Sequence, residues 1–137
     1  MFDFTIKHLG FLKHVPLLPH VFDAAMKIKN LFSNRALLDL LDEIEYEVLS
    51  WDKTTARMHK FGGIQFDVDK KEIGHIHSNG LLDILFSKEI KNQLVKEGRA
   101  KEHHTFKNSG WISFYIRNQE DKDYGLELLK HSYLMKM

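Results

Sequence analysis

The spacing of apolar and polar positions changes once along this chain, near residue 54. Before that point apolar residues recur every three or four positions, as they do on one face of a helix. This spacing predicts a first helix from Pro19 to about Ser33, with an inner face formed by Phe22, Ala25, Met26, Lys29 and Phe32. It predicts a second helix, capped by Ser33 or Asn34, with an apolar face formed by Leu37, Leu40, Leu41, Ile44 and Val48.

After residue 54 the chain is typical of short strands separated by turns. The predicted strands are residues 55–59, 64–68, 72–77, 81–85 and 111–116. Gly62-Gly63, Asp69-Lys70 and Asn79-Gly80 form turns between the first four strands, as in an antiparallel meander. A helix capped by Ser87 and a last helix from near Asn118 complete the chain. We therefore expect an α+β fold: an antiparallel sheet of about five strands, helices packed on one face, and two N-terminal helices preceding the sheet.

Length and composition limit the class of protein. Residues 1–18 lack periodicity and predict an N-terminal arm, and residues 19–137 are of a size typical of a single domain. The formal net charge of +1 argues against nucleic-acid binding, and the absence of cysteine excludes thiolate metal sites and thiol nucleophiles. The apolar stretches near the start are too short for a transmembrane segment, and a cytoplasmic location is expected. The oligomeric state does not follow from these properties.

His75 and His77 are the most prominent candidates for chemistry. They lie two residues apart in a predicted strand, so both side chains point to the same face. Three hypotheses follow from this pair: a metal site, an acid–base site acting near neutral pH, or a pair of structural histidines. A metal would need a third ligand, for which the sequence offers the following candidates: His59, Asp83, His103 and His104.

Four further residues are candidates for substrate binding. Because neighbours in an extended segment point in opposite directions, at most one of His103 and His104 can join the histidine face, and His104 is our candidate. Trp111 can form a flat wall of a pocket, and Tyr133 can direct its hydroxyl to a ligand or a backbone group. Arg117 precedes the last helix. The glycine pair at 62–63 is not followed by the helix and lysine of a phosphate-binding loop, so no nucleotide site is predicted.

Several segments of the chain resemble the luciferase-like domain family, which includes the fungal luciferases and many bacterial proteins. The resemblance spans roughly residues 55–135. It is carried by Lys71 to His77, Glu97-Gly98, His103-His104, Gly110 to Phe114, Arg117-Asn118 and His131 to Tyr133. The strand order and the pattern from Trp111 to Tyr133 also resemble the MmcQ/YjbR-like domains, small α+β proteins. That second resemblance bears on the fold, because a fold does not determine an activity.

The family resemblance implies an activity. Fungal luciferases oxidise a hydroxylated pyrone with O₂ and use no metal or organic cofactor. The implied function is a cofactor-independent oxygenase of a small enolic or aromatic compound, with His75 or His77 as the base and Trp111 and Tyr133 lining the pocket. The loop between His104 and Trp111 is shorter than in the fungal enzymes, which argues against light emission. The alternative is a binding module without turnover, for a small molecule, a protein or a nucleic acid.

Overall fold

The computed structural model describes residues 17–137 and places six strands in one antiparallel sheet. The helices are α1 (Leu18–Ser33), α2 (Arg35–Leu49), α3 (Lys88–Lys96) and α4 (Gln119–Leu134). The strands are β1 (Thr54–Met58), β2 (Ile64–Val68), β3 (Lys71–Ile76), β4 (Leu81–Leu85), β5 (Lys101–Glu102) and β6 (Trp111–Tyr115). They follow the order β1-β2-β3-β4-β6-β5. The predicted α+β fold with two helices before the sheet is confirmed. The sixth strand, β5, was not predicted because two residues are too few to produce an alternating pattern.

The hydrophobic core lies between one face of the sheet and helices α2 and α4. Ile44 and Val48 of α2, Leu82 and Ile84 of β4 and Leu129 of α4 are fully buried there. Helix α4 approaches the sheet closely at Gly74 of β3. A Cβ atom on Gly74 would lie 2.8 Å from the backbone oxygen of Asp83 and 3.0 Å from Leu129 Cδ2. The glycine therefore determines how near α4 can pack.

The predicted helix caps and the predicted hairpin are present. Asn34 and Asn118 each accept a hydrogen bond from the backbone N–H three residues ahead, at the starts of α2 and α4, and Ser87 does the same for α3. Gly80 closes the turn between β3 and β4 with φ +86°, and a Cβ there would lie 2.5 Å from the backbone oxygen of Ile116. Only glycine fits both conditions.

Helix α1 packs against the domain through polar residues, and the predicted inner face was wrong. Asp23 Oδ1 accepts hydrogen bonds from Ser78 N and Ser78 Oγ, at 3.2 and 2.7 Å. Asn30 Nδ2 donates to the backbone oxygen of Ser78 at 2.5 Å. The helix was predicted to bury Phe22 and Phe32, but Phe32 is 85% exposed. Hydrogen bonding to the turn after β3, and not apolar burial, sets the orientation of this helix.

A bulge between β2 and β3 aligns the polar residues of the sheet's second face. The pairing shifts by one residue between Phe66 and Asp67, so that Gln65 lies opposite His75.

The predicted N-terminal arm lies outside the described residues except for its last two positions, and Leu18 already begins α1. Within residues 17–137, no helix has the length and hydrophobicity needed to cross a membrane.

Candidate active site

A row of four polar residues crosses the second face of the sheet from β2 to β6. Gln65 pairs with His75, His75 pairs with Asp83, and Asp83 pairs with Ser113. Side chains paired across neighbouring strands stand about 5 Å apart, so the four form a continuous ribbon. All four are buried. Because burying polar groups is unfavourable unless they interact with one another, this ribbon is a specific feature of the fold.

The carboxylate of Asp83 lies at the centre of the ribbon and is 1% exposed. Its Oδ1 atom accepts a short hydrogen bond from Ser113 Oγ. Its Oδ2 atom faces the Nε2 atoms of three imidazoles: His75 at 3.4 Å, His103 at 3.6 Å and His77 at 3.8 Å. None of the described groups completes a hydrogen bond to Oδ2, so this oxygen is surrounded by nitrogen atoms at slightly longer range. We call Asp83 and its three imidazole neighbours, His75, His77 and His103, the Asp83 cluster.

The imidazole of His75 lies between two carboxylates. Its Nδ1 atom is 2.7 Å from Glu72 Oε1, and its Nε2 atom faces Asp83. Burial alone would lower the pKa of His75, but the neighbouring carboxylates of Asp83 and Glu72 outweigh burial and raise it. The arrangement therefore favours the imidazolium form of this one histidine.

Two other histidines beside His75 have lowered pKa values and therefore favour the neutral form. Burial, followed by the positive field of His75, lowers the pKa of His77 to about 4. Burial and the charges of His75 and His77 lower the pKa of His59 to about 3. Both rings are neutral at pH 7. His75, which favours protonation, thus lies beside two imidazoles that resist it, with ring centroids 3.7 Å away for His59 and 5.3 Å away for His77.

Asp83 remains an anion despite its burial. Burial would raise its pKa, but His103, His75 and the Ser113 hydroxyl hold the pKa of Asp83 well below its usual value. The carboxylate therefore balances the charge on His75 and keeps the positive charge close to the other two rings.

Trp111 and the histidine pair at 103–104 border the cluster. The ring centroid of Trp111 is 5.3 Å from that of His75 and 6.1 Å from that of His103. His103 is buried against Asp83, whereas His104 is exposed and stacks on His103 with ring centroids 4.4 Å apart. One of the two faces the cluster, as strand alternation requires, but it is His103 and not the predicted candidate His104 that contacts Asp83.

The two remaining predicted residues lie away from the cluster. Tyr133 is on the apolar face, where its ring packs 5.3 Å from Trp51 and its hydroxyl donates to the backbone oxygen of Asp52. Arg117 is exposed and lies over the ring of Tyr115. The structure therefore brings together His75, His77 and Trp111 of the predicted set and separates Tyr133 from them.

Three histidines around His75 and including it are close enough together to be considered as ligands of a metal ion. His59, His75 and His77 each offer a nitrogen atom, and the three atoms lie within 4.8 Å of one another. However, the rings of His59 and His75 are stacked 3.7 Å apart with only 11° between their planes. An imidazole binds a metal in its own plane, so two stacked rings direct their lone pairs in parallel and not towards one ion. In this arrangement the three rings do not converge as a chelate.

A depression on the other side of the molecule is not part of this cluster. Its volume is about 380 Å³, and it is lined by Asp42, Glu43, Tyr46, Glu47, Lys122 and Leu126. These residues belong to α2 and α4. It therefore has no connection with the imidazoles.

Sequence reasoning gave the central role to the histidines and missed that of the carboxylates. Asp83 was considered only as a metal ligand, and Glu72 and Ser113 were not considered. The signal was present in β4, where Asp83 is the one charged residue among four apolar ones. A carboxylate in the middle of a buried strand requires partners, and that requirement points to the face that carries the histidines.

Comparison with known proteins gives one match. Residues 70–132 match the family described as Luciferase domain, which confirms the resemblance for this part of the chain. The matched residues include Asp83, all three imidazoles around it, Glu72 and Trp111, and they leave out α1, α2, β1 and β2. No curated protein and no solved structure is significantly similar to the chain.

Proposed function

Because residues 70–132 of this chain match the Luciferase domain family, we propose that the protein is a luciferase-like oxygenase that oxidises a small enolic or hydroxypyrone-type compound with O₂. The reaction takes place at the Asp83 cluster and needs no organic cofactor. The observation that carries the proposal is the pairing of neutral His77 with His75 held between two carboxylates.

His77 is the base. Its lowered pKa keeps the ring neutral over the physiological range, so it can accept a proton. Its side chain is 15% exposed, compared with 7% for His75 and 6% for His103. His77 is therefore the most accessible of the three rings around Asp83. His75 is less suited to this role because Glu72 and Asp83 favour its protonated form.

The chemistry balances with O₂ as the only oxidant. His77 removes the hydroxyl proton of the enol and leaves an electron-rich enolate. The enolate carbon transfers one electron to O₂, and the resulting radical pair combines to form a carbon–oxygen bond. The peroxide anion then takes the proton back from His77. The product is a ketone with a neighbouring hydroperoxide, and the base is regenerated.

The other members of the cluster stabilise the negative charge of the intermediates. The positive charge favoured on His75 lies beside His77, with ring centroids 5.3 Å apart, and preorganised charge of this kind lowers the energy of an enolate or peroxide. Trp111 offers a flat wall on the same side for an aromatic substrate. Burial of the cluster keeps water from competing with the proton transfer.

Oxygen consumption tests the proposal. Purified protein is mixed with a hydroxylated pyrone under air, and O₂ uptake and photon emission are followed for wild type, His77→Gln and His131→Gln. His131 is an exposed histidine on α4 that contacts Phe86 and not the cluster, so it is the matched control. We expect uptake in wild type and in His131→Gln and a loss on the order of 100-fold in His77→Gln, the size typical of removing a general base.

Either of two results would contradict the proposal. The first is equal uptake in wild type and His77→Gln, which would remove His77 from the reaction. The second is an inert wild type across a panel of hydroxypyrones and related enols, which would favour the binding module over the oxygenase.

A further inference from the structure

Helix α1 carries a stripe of apolar side chains that faces away from the domain. Its large members are Val21 (62% exposed), Ile28 (61%) and Leu31 (54%), and it is flanked by the N-cap residue Leu17 (71%) and by Phe32 (85%). A large apolar side chain exposes about 150 Å² when fully free, so the stripe and its two flanking residues together expose on the order of 500 Å². That is near the upper end of the patches found on monomeric proteins, which are about 300–600 Å² and mark binding surfaces.

The stripe follows the repeat of a coiled coil. Within the helix, positions 21, 24, 28 and 31 are spaced alternately by three and four residues, which is the a/d pattern of a heptad. The a positions are Val21 and Ile28, and the d positions are Ala24 and Leu31. Branched residues at a with leucine at d favour two parallel strands over three or four. The small side chain of Ala24 allows close approach at the centre.

The opposite side of α1 is already occupied by its own domain. Asp23 and Asn30 bind Ser78, and Met26 is half-buried between them. In the heptad these residues fall at positions c and f, on the side opposite the a/d stripe. A partner can therefore pack on the stripe without displacing any contact to the domain.

We propose that this stripe, defined as residues Val21, Ala24, Ile28 and Leu31, is a homodimer interface in which α1 pairs in parallel with α1 of a second copy. A two-fold axis along the helix pair makes each residue meet its own equivalent, which a self-complementary seam requires. The flanking positions agree with this pairing. Lys27 at position g faces Phe32 of the other copy at position e, and its charge is neutralised within its own helix by Asp23 at 3.7 Å. No like charges oppose each other across the seam.

The seam alone provides less than the roughly 800 Å² per partner of a standard interface, so the dimer dissociates at low concentration. Sedimentation velocity over a range of concentrations, up to the highest that is soluble, measures this equilibrium. We expect wild type to shift from 16.1 kDa towards twice that mass as the concentration rises. Ile28→Glu places a charge in the seam and should stay monomeric. Tyr46→Glu is the control, because Tyr46 is also apolar and exposed, at 80%, but lies on α2.

Three outcomes would overturn the homodimer. Wild type that is monomeric at every concentration would assign the stripe to another occupant, whether a different protein, a membrane or the segment 1–16. An Ile28→Glu variant that dimerises like wild type would place the interface elsewhere. Loss of dimer in Tyr46→Glu together with Ile28→Glu would also contradict the seam.

Cross-linking tests the parallel arrangement, since the chain has no cysteine of its own. Leu31→Cys should form a disulfide-linked dimer on mild oxidation, because each Leu31 meets its equivalent. Lys29→Cys, at the outward position b, should form far less. In an antiparallel pair a positions face d positions, so Leu31 would meet Val21 and not its own equivalent. A dimer that does not cross-link through Leu31→Cys would therefore overturn the parallel pairing.

Discussion

Leu82 and Asp83 are neighbours on β4, point to opposite faces of the sheet, and are both almost fully buried. Leu82 enters the core between the sheet and helices α2 and α4. Asp83 enters a polar layer that contains three imidazoles and the hydroxyl of Ser113. Strand β4 therefore contributes buried side chains both to the apolar core on one face of the sheet and to the polar layer on the other face.

The comparison shows how stability and reactivity are divided in this fold. The apolar face gains free energy from burial and close packing. The polar face keeps an anion, a histidine that favours protonation and two neutral imidazoles out of water, which is unfavourable unless the groups compensate one another. Such a layer is typical of a site whose pKa values matter, because burial and neighbouring charges are what shift them.

Ile84→Ala, on the apolar face of β4, should have the largest effect on stability. Ile84 is fully buried, so the variant loses apolar contacts and leaves a cavity. We expect the free energy of unfolding to fall by about 2–5 kcal/mol. Urea denaturation measures this, with Met58→Ala as a control that should change stability by at most about 0.5 kcal/mol, because Met58 is 70% exposed. Equal effects of the two substitutions would contradict the assignment of the core to this face.

Asp83→Asn, on the other face of the same strand, should affect activity more than stability. The amide keeps the shape but removes the charge, so we expect a loss of about 1–3 kcal/mol in the free energy of unfolding. The pKa of His75 should fall, because Asp83 is one of the two carboxylates that raise it. Oxygen uptake should fall by at least about tenfold, since the intermediates lose a positively charged neighbour. A variant with unchanged uptake and an unchanged His75 titration would show that Asp83 does not organise the cluster.

The polar face should also make stability depend on pH. Unfolded His77 binds a proton near pH 6.5, whereas folded His77 binds one only near pH 4. Between these values the unfolded state holds more protons, so the stability contribution of His77 is present at neutral pH and is lost as the pH falls, by at most about 1.4 kcal/mol per pH unit. His59 acts in the same direction, and His75, whose pKa is raised, acts in the opposite one.

Urea denaturation of wild type and His77→Gln at pH 7 and pH 5 isolates this contribution. The variant should lose less stability over the interval than wild type, because glutamine does not titrate. Identical losses would mean that His77 titrates alike in the folded and unfolded states.

Arg57→Ala, at the edge of the polar face, should have the smallest effect. Arg57 Nε donates to Asp67 Oδ2 at 2.7 Å, but the arginine side chain is 63% exposed and water can replace it. Gln65 Nε2 continues to donate to the other oxygen of Asp67. We expect the free energy of unfolding measured by urea denaturation to be the same as that of wild type within experimental error. A loss of stability as large as that of Asp83→Asn would mean that residues at the edge of the polar layer stabilise the fold as much as those at its centre.

The elements of the fold could be predicted because their signals are local. Helix α2 and strands β2 and β4 follow from apolar periodicity, and Asn34, Ser87 and Asn118 are cap residues with their targets a few positions ahead. Helix α1 was predicted in place but not in orientation. Its direction depends on hydrogen bonds from Asp23 and Asn30 to Ser78, about fifty residues away, which periodicity does not reveal.

The candidate site could be predicted only where it lies within one strand. His75 and His77 share a face by strand alternation alone. The neighbours Asp83 and Ser113 reach His75 through strand pairing between β3, β4 and β6, and Gln65 reaches it through the bulged pairing of β2 with β3. Tyr133 was placed in the pocket by resemblance, whereas its helix packs on the apolar face. The sequence does not show in which direction the chain leaves β5, and this direction decides whether His103 or His104 faces Asp83.

Proton titration of the individual imidazoles by NMR measures whether the Asp83 cluster raises the pKa of His75 while His77 beside it stays neutral. The imidazole resonances are assigned by comparison with His75→Gln and His77→Gln and followed from pH 4 to pH 9. We expect His75 to titrate above 6.5 and His77 to remain neutral until the pH approaches about 4. If both rings instead titrate together near 6.5, or if His77 is the one protonated at neutral pH, the proposed division between base and charge stabiliser is contradicted.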